Sequence, residues 1–279
     1  MKIRIISAAA AIAVLAAVIC LGREAVGIAV FIIALAGINE FYGALHKGGY
    51  KPVWTAGYLS CLPLLYLAFA DGKTDIMHSF DPSSLAALVI LLFIFLLFVA
   101  LFGVIIFTVG RYSPIDISIT LFGIFYVVFL FSFVTLTRNL EKGYLYIWLI
   151  LIGACATDTF AYFTGVSIGR TKILPVISPK KSLEGSIGGI IGCIAVMAVF
   201  GLYADLYFGF GIPLYHFIIL GGICGVVSQL GDWSASAVKR FANIKDFGCI
   251  MPGHGGVLDR IDSILFTAPA VYFYINLFL

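Results

Sequence analysis

Charge is what this sequence has least of. Of its 279 residues, 11% are Asp, Glu, Lys or Arg, while 62% are hydrophobic and the mean hydropathy is +1.12. A soluble fold of this length must turn far more polar surface toward water, so the chain reads as an integral membrane protein. Paired cysteines are missing as well. Cys20, Cys61, Cys155, Cys193, Cys224 and Cys249 are scattered without a Cys-x-x-Cys pair, and five of them fall inside apolar runs. They read as small core residues, not as a disulfide framework or a zinc site. The net charge of +3 is too small to argue for nucleic acid as a partner. There is no internal repeat, no low-complexity tract and no Pro- or Ser-rich linker, so one membrane domain over residues 1–279 is the simplest description.

What is present in quantity is apolar runs close to the roughly 20 residues that cross a bilayer. They predict an all-α, polytopic fold with about nine transmembrane helices, at 4–21, 25–45, 53–70, 84–109, 115–137, 144–166, 186–208, 212–236 and 261–278. Cytoplasmic connections carry the excess of Lys and Arg. Lys2, Arg4, Lys47, Lys51, Arg111, Arg170, Lys172, Lys180, Lys181, Lys239, Arg240, Lys245 and Arg260 fall on one side of this arrangement. Only Arg23, Lys73, Arg138 and Lys142 of the 17 basic residues fall on the other. The N-terminus is therefore expected in the cytoplasm and the C-terminus outside. Residues 1–140 supply N-terminal helices, and 144–279 carry two polar cytoplasmic loops, 167–185 and 236–260.

The polar residues gather around those loops. Asp158 lies well inside an apolar span, where an ionised carboxylate is costly without a partner or a watery cavity. Helical spacing puts Tyr162 and Gly165 on its face, with small residues beside it that let helices approach closely. In the first loop, Ser178, Lys180, Lys181, Ser182 and Glu184 precede a glycine-rich helix start, "EGSIGGIIG". Ammonium groups, hydroxyls and free N–H groups there suit an anionic phosphate. Lysines at that end also follow from the positive-inside rule, and Glu184 also fits a helix-capping role.

The second loop is harder to explain as packing. Asp232, Ser236, Lys239 and Arg240 share one helix face. Lys245 and Asp246 lead into "PGHGG", where Gly255 and Gly256 give the backbone freedom to approach a ligand. Asp259, Arg260 and Asp262 stand at the mouth of the last helix. Carboxylates, cations and glycines together fit phosphate chemistry with a divalent metal, because Mg²⁺ is held by one or two carboxylates plus substrate phosphates. Asp232 and Asp259 are the candidate metal ligands, Lys and Arg the phosphate clamps, and His254 a hydrogen-bond donor to phosphate.

The pattern Ser236-x-x-Lys239-Arg240-x-x-x-x-Lys245-Asp246-x-Gly248-x-x-Met251-Pro252-x-His254-Gly255-Gly256-x-x-Asp259-Arg260-x-Asp262 resembles the signature of the phosphatidate cytidylyltransferases, the CDP-diacylglycerol synthases. Upstream, "DTFAYFTGVSIGRTKILPVISPKKSLEG" resembles the same family. The resemblance covers the C-terminal half; Met251 and Thr157 depart from its commoner residues. It implies a membrane enzyme that joins CTP and phosphatidic acid into CDP-diacylglycerol and pyrophosphate. It also implies a divalent metal, here Mg²⁺, and a homodimer; whether a second, monovalent cation joins is left open by the sequence. The division of basic residues puts the site on the cytoplasmic face, and the short chain reads as a bacterial plasma membrane protein. A CTP-dependent polyprenol or lipid kinase is the related alternative. An ion-coupled transporter is a more distant one, since transport predicts ionisable groups spread through the membrane depth.

Overall fold

The computed structural model describes residues 14–69, 85–108, 110–248 and 255–279, and they form a helical bundle. Its helices, in chain order, are α1 (14–21), α2 (Arg23–Lys47), α3 (Trp54–Ser60), α4 (Leu62–Phe69), α5 (Leu85–Phe107), α6 (Pro114–Asn139), α7 (Gly143–Ile168), α8 (Leu183–Phe208), α9 (Leu214–Phe241) and α10 (Leu258–Phe278). Six of them, α2 and α6 to α10, are long and apolar enough to cross a membrane. Two shorter apolar helices, Trp54–Phe69 and Leu92–Phe107, fall on two further expected spans. The start of the first expected span lies outside the described residues, as do residues 70–84 and 249–254. In lipid no water can satisfy a free N–H or C=O, so a helix, which satisfies its own backbone, is what a long apolar run must form.

The expected bounds hold within a few residues, with four departures. The span expected at 53–70 is interrupted at Cys61, because Pro63 offers no N–H and its ring crowds the preceding turn. The span expected at 115–137 contains a π-helical segment, Ile124–Phe129, which inserts a wider turn between two α-helical stretches. The expected loop 167–185 is only 169–182, and its residues pair as a two-stranded antiparallel hairpin, β1 (Lys172–Leu174) with β2 (Ser178–Ser182). An all-α reading misses this hairpin because its strands are short and outside any apolar run. Likewise the expected loop 236–260 starts later, since α9 runs on to Phe241.

Helix ends follow local rules. Ser113 and Asp116 form a reciprocal capping box at α6, with Pro114 at its first position. Glu24 opens α2 and His46 and Lys47 close it, each matched to the helix dipole.

The α7, α8, α9 and α10 helices pack successively against one another, with α2 and the second half of α6 closing the other side. Small residues make that possible. A Cβ on Gly225 of α9 would lie 2.9 Å from the Cα of Ile190 on α8, and one on Gly189 would lie 3.0 Å from the carbonyl oxygen of Thr157 on α7. The glycines of "EGSIGGIIG" thus act mainly in helix packing. Gln229 adds a polar tie by donating to the Ser186 carbonyl at 3.1 Å. Cys61, Cys193 and Cys224 are buried in the core as expected; Cys20 and Cys155 are exposed, on outward helix faces. The outward face of α8 is apolar: Leu206 is 77% and Val199 66% exposed, which suits lipid contact.

Candidate active site

Four chain connections meet at one end of this bundle: the C-terminal half of α2, the hairpin, the end of α9 and the start of α10. The side chain of Lys181, at the end of β2, contacts the Asp232 carboxylate on α9. Two turns further along α9, Lys239 donates from Nζ to Asp259 Oδ1 at 2.8 Å. Helical spacing puts Asp232 and Lys239 on one side of α9, and each finds an opposite charge from a different element. The second pair is the drier one, with Lys239 13% and Asp259 5% exposed.

Asp259 also organises the loop before it. Its Oδ2 accepts from the N–H of Phe247 at 2.9 Å and of Gly256 at 3.0 Å. Gly255 takes a positive φ of 88°, and a Cβ there would fall 3.1 Å from that carboxylate oxygen, so glycine is what lets the loop close over Asp259. Lys239 sits against the Phe247 ring, 5.4 Å from its centroid, adding a cation–π contact.

Two more carboxylates stand nearby. Asp158, on α7, keeps an accessible side chain while its Oδ2 accepts from Ser263 Oγ of α10 at 3.2 Å. Asp262 is buried, with Oδ1 accepting from the Ser263 N–H at 2.7 Å. Asp158 lies within electrostatic range of Lys181, Asp232 and Arg260, and Asp262 within range of Asp232, Asp158 and Lys239. Acids from α7, α9 and α10 therefore share one field, offset by lysines. That surplus of hard oxygen donors would welcome a cation. Among the described residues, no group of three or more His, Cys, Asp or Glu side chains converges closely enough to hold one alone.

The remaining expected residues are arranged around this centre. Arg240 donates from Nε to the Ile177 carbonyl at 3.2 Å, pinning the hairpin to α9. Ser182 caps α8 by accepting from the Gly185 N–H at 3.2 Å, and Glu184 accepts from the N–H groups of Arg170 and Thr171. Both hold the hairpin's base in place. Lys180, Lys245, Asp246 and Arg260 are exposed, whereas Ser178 and Ser236 are half-buried. Tyr162 is 66% exposed and packs edge-on against Phe163, so it faces outward from α7. His254 lies outside the described residues.

Sequence reading passed over three residues here. Glu40, on α2, is 5% exposed and accepts from the N–H groups of Val257 at 2.9 Å and Leu258 at 2.8 Å. Tyr126, within the π-helical segment, is buried with no hydrogen-bond partner for its hydroxyl among the described residues, and Asp262, Asp232 and Asp259 all lie in electrostatic range. Ser263 joins Asp158 to α10. A lone acid in an apolar helix was a signal available for Glu40, by the argument applied to Asp158.

A sequence model described as the cytidylyltransferase family matches residues 2–278. The chain is similar to a protein named phosphatidate cytidylyltransferase from Staphylococcus haemolyticus, 31% identical over 269 residues, which is 96% of this chain and 96% of that protein. It is similar to one of the same name from Synechocystis sp., 32% identical, covering 99% of this chain and 97% of that protein. A third, from Bacillus subtilis, is 41% identical over 154 residues, 55% of this chain and 56% of that protein.

Proposed function

The chain belongs to the cytidylyltransferase family, and from that membership we propose that it transfers the cytidylyl group of CTP to phosphatidic acid, giving CDP-diacylglycerol and pyrophosphate. The observation that ties this reading to particular residues is the meeting of Lys181 with Asp232 and Lys239 with Asp259 at one end of the bundle. Phosphatidic acid keeps its acyl chains in the bilayer while its phosphate reaches that polar end, and CTP enters from water. A phosphomonoester oxygen of the lipid attacks the α-phosphorus of CTP, forming a new P–O bond as the bond to the bridging oxygen breaks and pyrophosphate leaves.

Both substrates are anionic, so the lysines are central. Lys181 and Lys239 are each paired with a carboxylate. Phosphate oxygens arriving at the site compete for those ammonium groups, and each lysine can turn from carboxylate to phosphate without leaving its helix or hairpin. Arg240, Lys245, Arg260 and Lys180 surround the same end and offset charge that gathers on the departing pyrophosphate.

Mg²⁺ is the cofactor this reading carries, and the donor set fits it: carboxylates in mutual range, too few for a complete shell, leave positions for phosphate oxygens. Asp232 would hold the ion, with Asp259 joining by releasing Lys239, since its two oxygens already accept three hydrogen bonds. When bound, such an ion supplies positive charge to the transferring phosphates and orients them. A homodimer rests on the family resemblance, and His254 as a hydrogen-bond donor to phosphate rests on its place in the glycine-rich loop; a second, monovalent cation is compatible with the same site.

The same reading places the site on the cytoplasmic side of a bacterial plasma membrane. Nine spans, with the N-terminus inside and the C-terminus outside, are supported by the thirteen-to-four division of basic residues. The direct test incubates the purified protein with phosphatidic acid in mixed micelles, Mg²⁺ and CTP labelled at the α-phosphate. Label is expected in lipid, and none with Asp232→Ala. No label in lipid from α-labelled CTP, with label appearing there when γ-labelled CTP is used instead, would make the protein a lipid kinase.

A further inference from the structure

We infer that Glu40, on a helix far in sequence from the polar loops, is a positioning residue for the catalytic loop; the inference rests on the proposed cytidylyl transfer. Its two carboxylate oxygens take up the N–H groups of Val257 and Leu258, 217 and 218 residues away. Those N–H groups belong to the unsatisfied first turn of α10. The next N–H toward the N-terminus, that of Gly256, goes to Asp259. Three successive N–H groups at this helix start are therefore taken by protein carboxylates, which closes the helix end itself to a phosphate and leaves anion binding to the lysines and arginines.

The fit around Glu40 is close. A methyl added at Gly248 or at Gly256 would collide with its carboxylate, so both ends of the segment that carries His254 are folded against it. Phe41, its neighbour, stacks on Phe247 with centroids 6.3 Å apart, and Phe247 is the residue whose N–H holds Asp259. Glu40 and Asp259 together hold the described residues on either flank of the loop, Phe247 and Gly248 before it and Gly256 to Leu258 after it. An acid buried in an apolar helix is costly. Here that cost is offset by two charge-assisted hydrogen bonds and by the positive end of the α10 dipole. The outcome is a rigid link from α2 to the residue pair Lys239 and Asp259.

The test uses the full-length protein in detergent, as Glu40→Gln and Glu40→Ala. Hydrogen exchange is followed in a peptide covering 255–260 and in a core peptide of α9, and kcat and KM are measured for both substrates. Glu40→Ala is expected to speed exchange at 255–260 at least tenfold with the α9 peptide unchanged. It is expected to lower kcat about tenfold to a hundredfold, the scale of a misplaced catalytic group, with KM for phosphatidic acid within about twofold. Glu40→Gln, which keeps one acceptor oxygen, should fall between Ala and wild type in both readouts. Unchanged exchange at 255–260, wild-type kcat in both variants, or faster exchange throughout the bundle would each overturn the assignment. Absence of cytidylyl transfer in the wild type would count against the proposed function, while the exchange measurement would still decide whether Glu40 holds the loop.

Discussion

At the scale of single residues, the two ion pairs differ in burial, and that difference separates stability from chemistry. Lys239 and Asp259 are 13% and 5% exposed, and Asp259 is further bound by two backbone N–H groups. Removing the ammonium leaves a buried carboxylate without its counter-charge, a loss of about 3 kcal/mol. Lys239→Met should therefore lower the unfolding temperature in detergent and also stop turnover. Lys181 and Asp232 are 31% and 19% exposed, where water and salt screen much of the attraction. Lys181→Met should cost about 1 kcal/mol or less in stability, yet reduce label transfer as severely as Lys239→Met. Unfolding curves and the α-labelled CTP assay on both variants decide this. Equal destabilisation with retained activity in Lys181→Met would make that lysine a structural contact with no part in the chemistry. The sequence announced all four residues through helical spacing and charge. It did not announce their pairing, because both partners of each pair come from different elements.

Among the elements, helix packing and the π-helical segment make separate predictions. Gly225 of α9 faces backbone of α8: its absent Cβ would be 2.9 Å from Ile190 Cα, an atom that cannot move without the helix. Gly225→Ala should destabilise the protein by about 1 to 3 kcal/mol through overpacking. Gly222, one turn earlier, meets only the tip of Ile194 at 3.8 Å, so Gly222→Ala should be neutral or gain up to about 1 kcal/mol from helix propensity. Thermal unfolding of the two side by side checks the contact. In the π-helical segment the buried Tyr126 hydroxyl has no partner among the described residues, so Tyr126→Phe removes a polar group that they leave unsatisfied. Its stability should equal or exceed that of wild type, and a clear loss would mean the hydroxyl is bonded after all. Neither the π turn nor the hairpin between α7 and α8 was legible beforehand. An apolar run fixes that a helix forms but not its local winding, and strands as short as Lys172–Leu174 carry no alternation to read. Where length alone decides, the reading was close: 144–166 became Gly143–Ile168, and 186–208 became Leu183–Phe208.

For the whole molecule, what the sequence conveyed best was the concentration of polar chemistry at one end. Apolar runs set how many times the chain turns back, and each return brings alternate loops to the same side. Glu40 was legible as a lone acid in an apolar helix, but its partner was not, because a contact across 217 residues leaves no trace in local spacing. The alternation itself can be tested on the opposite ends of α7. Glu141 precedes that helix and Lys180 follows it on the hairpin, and both positions are exposed. A helix of 26 residues spans about 39 Å at 1.5 Å per residue, enough to put these two positions on opposite sides of a bilayer. In a background with the six native cysteines replaced, Glu141→Cys should react with a membrane-impermeant maleimide added to intact spheroplasts. Lys180→Cys should react only after the membrane is opened. Labelling of Lys180→Cys from outside would turn the site away from cytoplasmic CTP, and with it the direction from which the nucleotide is proposed to arrive. Equal labelling of both before lysis would mean that α7 does not cross the membrane as its length and apolar character require.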